Sequence, residues 1–156
     1  MMRIRVLAVG TRMPGWVLAA VAEYSKRLPK DFRVEWVEIT PAKRQGDNSD
    51  KFRAQEAIAI KKQIKDDETL VALDVQGSLI RTEDMAERFA VSRHEGAPMA
   101  ILIGGPDGID ADLLRRADAR WSLGRITLPH PLVRVVLAEQ LYRAWSINAR
   151  HPYHRA

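Results

Sequence analysis

Two stretches of this chain, TLVAL (69–73) and MAILI (99–103), are apolar without alternation. Successive side chains on a strand point to opposite faces. A strand with no polar positions must therefore be covered on both sides, and such strands belong to parallel sheets flanked by crossover helices. The rest of the chain supplies those helices. RIRVLAV (3–9) reads as a first strand, and FRVEWVEI (32–39) alternates as a second, with Phe32, Val34 and Trp36 on one face. Between them Trp16, Val17, Ala20, Val21, Tyr24 and Leu28 recur at helical spacing after Pro14, and Pro29 marks the stop. A second helix, capped near Asn48 or Ser49, places Phe52, Ala57, Ile60 and Ile64 for burial. A third starts at Thr82, where Glu83 and Asp84 suit the first turn.

The remaining elements follow in order. VQGS (75–78) reads as a turn after the third strand, Asp110 to Ala119 as a short helix, WSLGRITL (121–128) as a fifth strand, and residues 131–147 as a long last helix. Five strand–helix alternations predict an α/β fold with a mostly parallel sheet and helices on both faces. At 156 residues, with no linker or repeat, the chain is expected to form a single domain, 1–156.

In such sheets ligands bind beyond the carboxyl ends of the strands. Leu73–Gly77, Gly104–Gly108 and Leu123–Leu128 are thus candidate pocket edges. The stretch ILIGGPDGID (101–110) resembles a phosphate cradle only in its glycines. Pro106 lacks an N–H, no GK[ST] follows, and the spacing misses GxGxxG. Two readings stay open: a tight strand-to-helix turn, or a wall kept low so that a flat ligand can lie against backbone.

In the last helix, Val133, Val135, Leu137, Leu141, Tyr142 and Trp145 cover more than half the circumference, with Arg134 the one charge among them. One sheet face does not normally cover so wide an arc. A partner subunit is the expected second cover, against burial within the chain's own core.

Absences narrow the chemistry. The chain has no cysteine, which excludes disulfides, thiolate metal sites and a Cys nucleophile. Four His without HExxH spacing give no metal signature, and no metal is expected. No signal peptide and no run of ~18 apolar residues is visible, so the expected compartment is the cytoplasm, with no membrane association. Charge is lopsided: residues 115–156 hold eight Arg against Asp118 and Glu139, a net +6, while the rest sums to −1. That asymmetry suggests a polyanionic partner, nucleic acid first, against a merely solvated Arg-rich surface.

LIGGPDG, WSLGRITLPHPLVRVVLAEQLYRAWSI and the ending HPYHR, with LAVGTRMPGWV, YSKRLPKDF, EITPAKR and LDVQG upstream, resemble the ribosomal RNA large subunit methyltransferase H family of the SPOUT superfamily over essentially the whole chain. The resemblance implies a homodimer whose C-terminal part forms a deep trefoil knot. It implies methyl transfer from S-adenosylmethionine to N3 of a pseudouridine in helix 69 of 23S rRNA, in the assembled 70S ribosome. It places the cofactor at Leu73, Gly104, Gly105, Leu123, Gly124, Arg125, Ile126, Thr127 and Leu128, with backbone rather than side chains holding the adenine.

The sulfonium methyl is already activated, so the chemistry to supply is removal of the N3 proton. His154 is the candidate base, since imidazoles change charge near neutrality. Arg155 would stabilise the anion and Tyr153 position the base; His130 is a second base candidate. Arg3, Lys43, Arg44, Arg134 and Arg143 are candidate phosphate contacts, with the 40–48 loop expected to be mobile and its Lys43 and Arg44 free of other duties. The rival readings are a non-catalytic ribosome-associated RNA-binding protein and a SPOUT enzyme acting on tRNA.

Overall fold

The structure is a computed structural model that describes residues 1–155. Ten elements alternate: β1 (Met2–Val9), α1 (Gly15–Ser25), β2 (Phe32–Ile39), α2 (Ser49–Gln63), β3 (Thr69–Leu79), α3 (Thr82–Glu95), β4 (Met99–Ile103), α4 (Ala111–Arg116), β5 (Ala119–Ser122) and α5 (His130–Asn148). The five strands form one sheet in the order β2-β1-β4-β3-β5, and every pairing is parallel.

β4 lies in the middle, and all five of its residues are buried, as its unbroken apolar run requires. Its side chains serve two cores. Met99, Ile101 and Ile103 meet Met85 and Phe89 of α3 and Leu137 and Leu141 of α5 on one face. Ala100 and Leu102 meet Ala57 and Ile60 of α2 and Leu113 of α4 on the other. Phe89 packs edge-on against Phe32, with ring centroids 6.0 Å apart.

Local chemistry sets several ends. The Asn48 side chain accepts from the Lys51 N–H and starts α2. The Asp84 carboxylate accepts from the Arg81 N–H at 3.0 Å and starts α3. Asp118 fixes the start of β5: its N–H donates to the Leu70 carbonyl, and its carboxylate accepts from the Leu70 N–H, both at 2.8 Å.

Three expectations change. VQGS is not a turn that ends β3 but a bulge inside it. Leu73 and Ser78 both pair with Trp121, so the strand resumes after four residues loop out. The fifth strand is Ala119–Ser122, not 121–128. The Ser122 hydroxyl donates to the Gly124 carbonyl at 2.9 Å and accepts its N–H at 3.2 Å, turning the chain away from the sheet. Lastly, α5 is covered by its own chain. It packs between α1 and α3, and no residue from 131 to 147 is exposed. The wide apolar arc thus has a second cover within the subunit. Uncovered apolar side chains stand on α1, where Trp16 and Leu18 are each 57% exposed.

Candidate active site

The β3 bulge, the turn after β4, the segment after β5 and the first turn of α5 converge beyond the carboxyl ends of the central strands. They enclose a cavity of about 710 Å³. Leu73, Gly104, Gly105, Leu123, Gly124, Ile126, Thr127 and Leu128 all line it. Arg125 does not: its guanidinium donates to the Val75 carbonyl and ties the 123–129 segment to the bulge. The cavity also takes in Asp74, Ile103, Pro106, Trp121, His130 and Val133, which were not singled out as cofactor contacts. A second cleft, about 620 Å³, lies at the opposite end of β1 and β2. It mixes Arg3, Arg5, Arg33 and Lys65 with Glu35, Asp67 and Glu68.

The paired glycines answer to the protein's own packing. A Cβ on Gly104 would stand 2.7 Å from the Ile109 side chain and 2.9 Å from the Gly108 backbone, too close for any residue but glycine. A Cβ on Gly105 would meet the Glu56 carboxylate and Val9, both at 3.0 Å. The turn closes on itself, with the Gly108 N–H donating to the Gly105 carbonyl at 3.0 Å, so that N–H is not offered to a phosphate.

Behind Gly105, buried Glu56 holds the 40–48 loop. One of its oxygens accepts from the Ala42 N–H at 2.9 Å and from the Arg44 guanidinium. Arg44 also pairs with Asp107 at 3.0 Å. Arg44 is therefore not a free phosphate contact: a buried carboxylate is costly without a cation, and Arg44 is that cation. Lys43 remains exposed at the loop's edge.

Arg134 is likewise committed. It is 4% exposed, and its fork donates to Glu38 at 2.7 Å, to the Gly10 carbonyl at 2.8 Å and to His130 Nε2 at 2.7 Å. His130 must then carry its hydrogen on Nδ1, 3.1 Å from the Gly104 carbonyl, which accepts it. Both ring nitrogens are spent, so His130 is a strut between α5 and the glycine wall and not a free base. Burial holds its pKa below the ordinary imidazole value, and the adjacent Arg134 charge acts in the same direction. The unfolded chain therefore takes up a proton near pH ~6.5 that the folded chain refuses, and stability falls as pH drops below that point. Thermal melts at pH 7.5 and 5.5 should show a smaller loss for His130→Asn than for the wild type; equal losses would dismiss the strut as the cause.

The tail is docked. Arg150, with φ 55°, turns the chain after α5, while the His151 N–H reaches the Ser146 carbonyl at 2.8 Å and the Arg150 N–H the Ile147 carbonyl at 3.1 Å. This is the double bond of a Schellman end, built on an Arg where glycine is usual. Tyr153 packs on Tyr142 at 4.5 Å and beneath Arg143 at 4.8 Å, and its hydroxyl donates to Glu139 at 3.2 Å. Partial burial, with Glu139 beside it, raises its pKa, so the phenol stays protonated as a donor. His154 Nε2 stands 3.7 Å from Glu83, and its Nδ1 is buried with no partner. Arg155 is exposed. None of Tyr153, His154 and Arg155 lines the cavity of its own chain. Arg143 is bonded to Glu139 at 2.6 Å.

Sequence carried a signal for one missed group. His130 and Arg134 stand four apart on a helix, the spacing that brings side chains together. No local pattern marked Glu38 or Gly10 as their partners.

Comparison with known proteins bears on this arrangement. The family described as "Predicted SPOUT methyltransferase" matches residues 2–154. A protein of Chromohalobacter salexigens named ribosomal RNA large subunit methyltransferase H is 55% identical over 156 residues, covering 99% of this chain and 100% of that protein. The protein of the same name from a Marinomonas species is 46% identical, with 99% and 100% covered. Among solved structures, a "probable methylase family protein" of Haemophilus influenzae shares the fold, with a TM-score of 0.54 at 14% identity over 96% of this chain and 67% of that one. The chain belongs to the SPOUT methyltransferase family, within the ribosomal RNA large subunit methyltransferase H group.

Proposed function

We propose that this chain methylates N3 of a pseudouridine in helix 69 of 23S rRNA, on the assembled ribosome, with S-adenosylmethionine as donor and as a homodimer in the cytoplasm. The observation that carries the reading is the cavity at the carboxyl ends of β3, β4 and β5, in a chain whose relatives are named for methylating large-subunit RNA. Its volume of about 710 Å³ falls within the ~300–1,000 Å³ of small-molecule sites. Its walls fit the donor: apolar residues for a flat base, backbone groups at Gly104, Gly105 and Leu123–Leu128 for its edge, and no cationic side chain to repel a sulfonium.

When bound, S-adenosylmethionine supplies an electrophilic methyl group. The chain's own residues must do the rest. Leu73, Gly104, Gly105, Leu123, Gly124, Ile126, Thr127 and Leu128 hold the donor, and Arg125 fixes the loop that carries five of them. His154 takes the N3 proton, and Arg155 stabilises the charge left on the flanking carbonyls. Tyr153, held as a donor by Glu139, positions the base to be methylated.

Because the tail lies outside its own cavity, the reading requires a second copy whose tail completes the site. The exposed Trp16 and Leu18 on α1, beside α5, support that partner surface. The reading extends to the family's trefoil knot.

Ribosomes incubated with protein and S-adenosylmethionine should gain N3-methylpseudouridine in helix 69, mapped by mass spectrometry of RNA fragments. A methyl group found in tRNA instead, or saturable RNA binding without any cofactor binding, would replace this reading with one of its rivals. Binding to ribosomes should weaken steeply with salt, by about tenfold or more between 50 and 200 mM, through phosphate contacts by Lys43, Arg155 and the exposed arginines. Filter-binding isotherms across that range that superimpose would remove the basic surface from the account.

A further inference from the structure

Among the described residues, the cavity lining holds one acidic side chain and no Lys or Arg. His130 accepts from Arg134 at Nε2 and is neutral, and Arg125, which does not line the cavity, spends its guanidinium on the carbonyl of Val75, which does. Asp74 remains. It stands in the β3 bulge, one residue after the last regular pairing at Leu73. One of its oxygens accepts from the Gln76 N–H at 3.1 Å, which fixes the direction of the carboxylate. Among the described residues it has no salt-bridge partner. Half-buried at the cavity edge, this carboxylate is placed to attract a cation that enters.

We infer that Asp74 is the specificity-determining residue that makes this cavity prefer the cationic methyl donor to its spent product. The inference rests on the S-adenosylmethionine reading above and deepens it. Donor and product share an adenosine, an α-ammonium and a carboxylate, and differ in charge only at sulfur. On transfer, the methyl–sulfur bond breaks and its electron pair stays on sulfur. The methyl carbon bonds to the nucleophilic nitrogen, whose proton has been lost. The sulfonium becomes an uncharged thioether, so the net charge in the cavity falls by one. A lone carboxylate at the edge of an apolar wall attracts the sulfonium across several ångströms without touching it, and that attraction ends with the reaction. Asp74 thus favours loading before transfer and release after it.

Titration calorimetry with the full chain tests this without any turnover. Wild type and Asp74→Asn are titrated with S-adenosylmethionine, with S-adenosylhomocysteine, and with sinefungin, which carries an amine in place of the sulfonium. Asparagine keeps the acceptor for Gln76, so the bulge is retained. The variant should bind the two cationic ligands about tenfold more weakly and the thioether less than about twofold more weakly, the loss expected when one charge–charge attraction is removed. Equal losses for all three would overturn the inference, because they would assign Asp74 to the shared ribose or ammonium; no loss for any of them would overturn it too. A wild type that binds none of the three would instead refute the donor reading itself. Should the variant fail to fold, the wild type still decides. Its affinity for S-adenosylmethionine should fall more steeply with salt than its affinity for the thioether, and parallel slopes would refute the inference.

Discussion

Arg134→Ala should melt about 10 °C below the wild type, as roughly 3 kcal/mol lost at about 2–4 °C per kcal/mol for a chain of this size. The guanidinium is buried, and its three directed bonds tie α5 to two elements distant in sequence, β2 through Glu38 and the end of β1 through Gly10, and fix His130 one turn away. Truncation leaves the half-buried Gly10 carbonyl and His130 nitrogen without a donor, at about 1–3 kcal/mol each. Glu38 adds little, because its side chain is 42% exposed and can turn to water. Lysine should not rescue, since a single ammonium cannot span a fork of three acceptors. Because His130 holds the Gly104 carbonyl, calorimetry should also show weaker donor binding in the variant. A melting point within about 2 °C of the wild type would show that the strut contributes little.

The second large effect concerns the tail. His154→Ala and Arg155→Ala should each slow methyl transfer to ribosomes by about 10²-fold or more, the range in which a positioned base or an anion stabiliser contributes. Donor affinity should stay at the wild-type value, because the reading gives both residues a role at the substrate base and none in holding the donor. That split separates a role in transfer from a role in folding. Wild-type rates for both variants would mean that proximity and desolvation suffice without a dedicated base. The buried, unpartnered Nδ1 of His154 is consistent with a group that waits for a substrate or a second chain.

The fold was legible where one physical constraint dominates. A strand with no polar face has to lie in the middle of a parallel sheet, and TLVAL and MAILI became β3 and β4 in that position. Helix starts were legible through their caps, as at Asn48 and Asp84. Strand limits were less so. Apolar residues past Ser122 looked like more strand, yet Leu123, Ile126 and Leu128 are apolar because they line the cavity. Burial against a ligand site and burial in a sheet leave the same mark on a sequence. Two candidate phosphate contacts failed for a related reason: an Arg that serves phosphate and an Arg that serves the protein's own acceptors are the same letter, and Arg44 serves buried Glu56 while Arg134 serves Glu38, Gly10 and His130.

By itself the sequence determined the parallel α/β architecture, the family, and the three loops at the carboxyl ends of the strands, because each follows from local periodicity or a contiguous motif. Only the tertiary structure decided what those motifs serve. Gly105 is small because Glu56 and Val9 press from behind it, His130 is a strut because Arg134 and Gly104 occupy both its nitrogens, and Asp74 is the lone charge in the cavity because every neighbouring arginine is turned elsewhere. Gly105 meets residues of α2 and β1, and His130 reaches back 26 positions to Gly104; no local pattern encodes a distant partner.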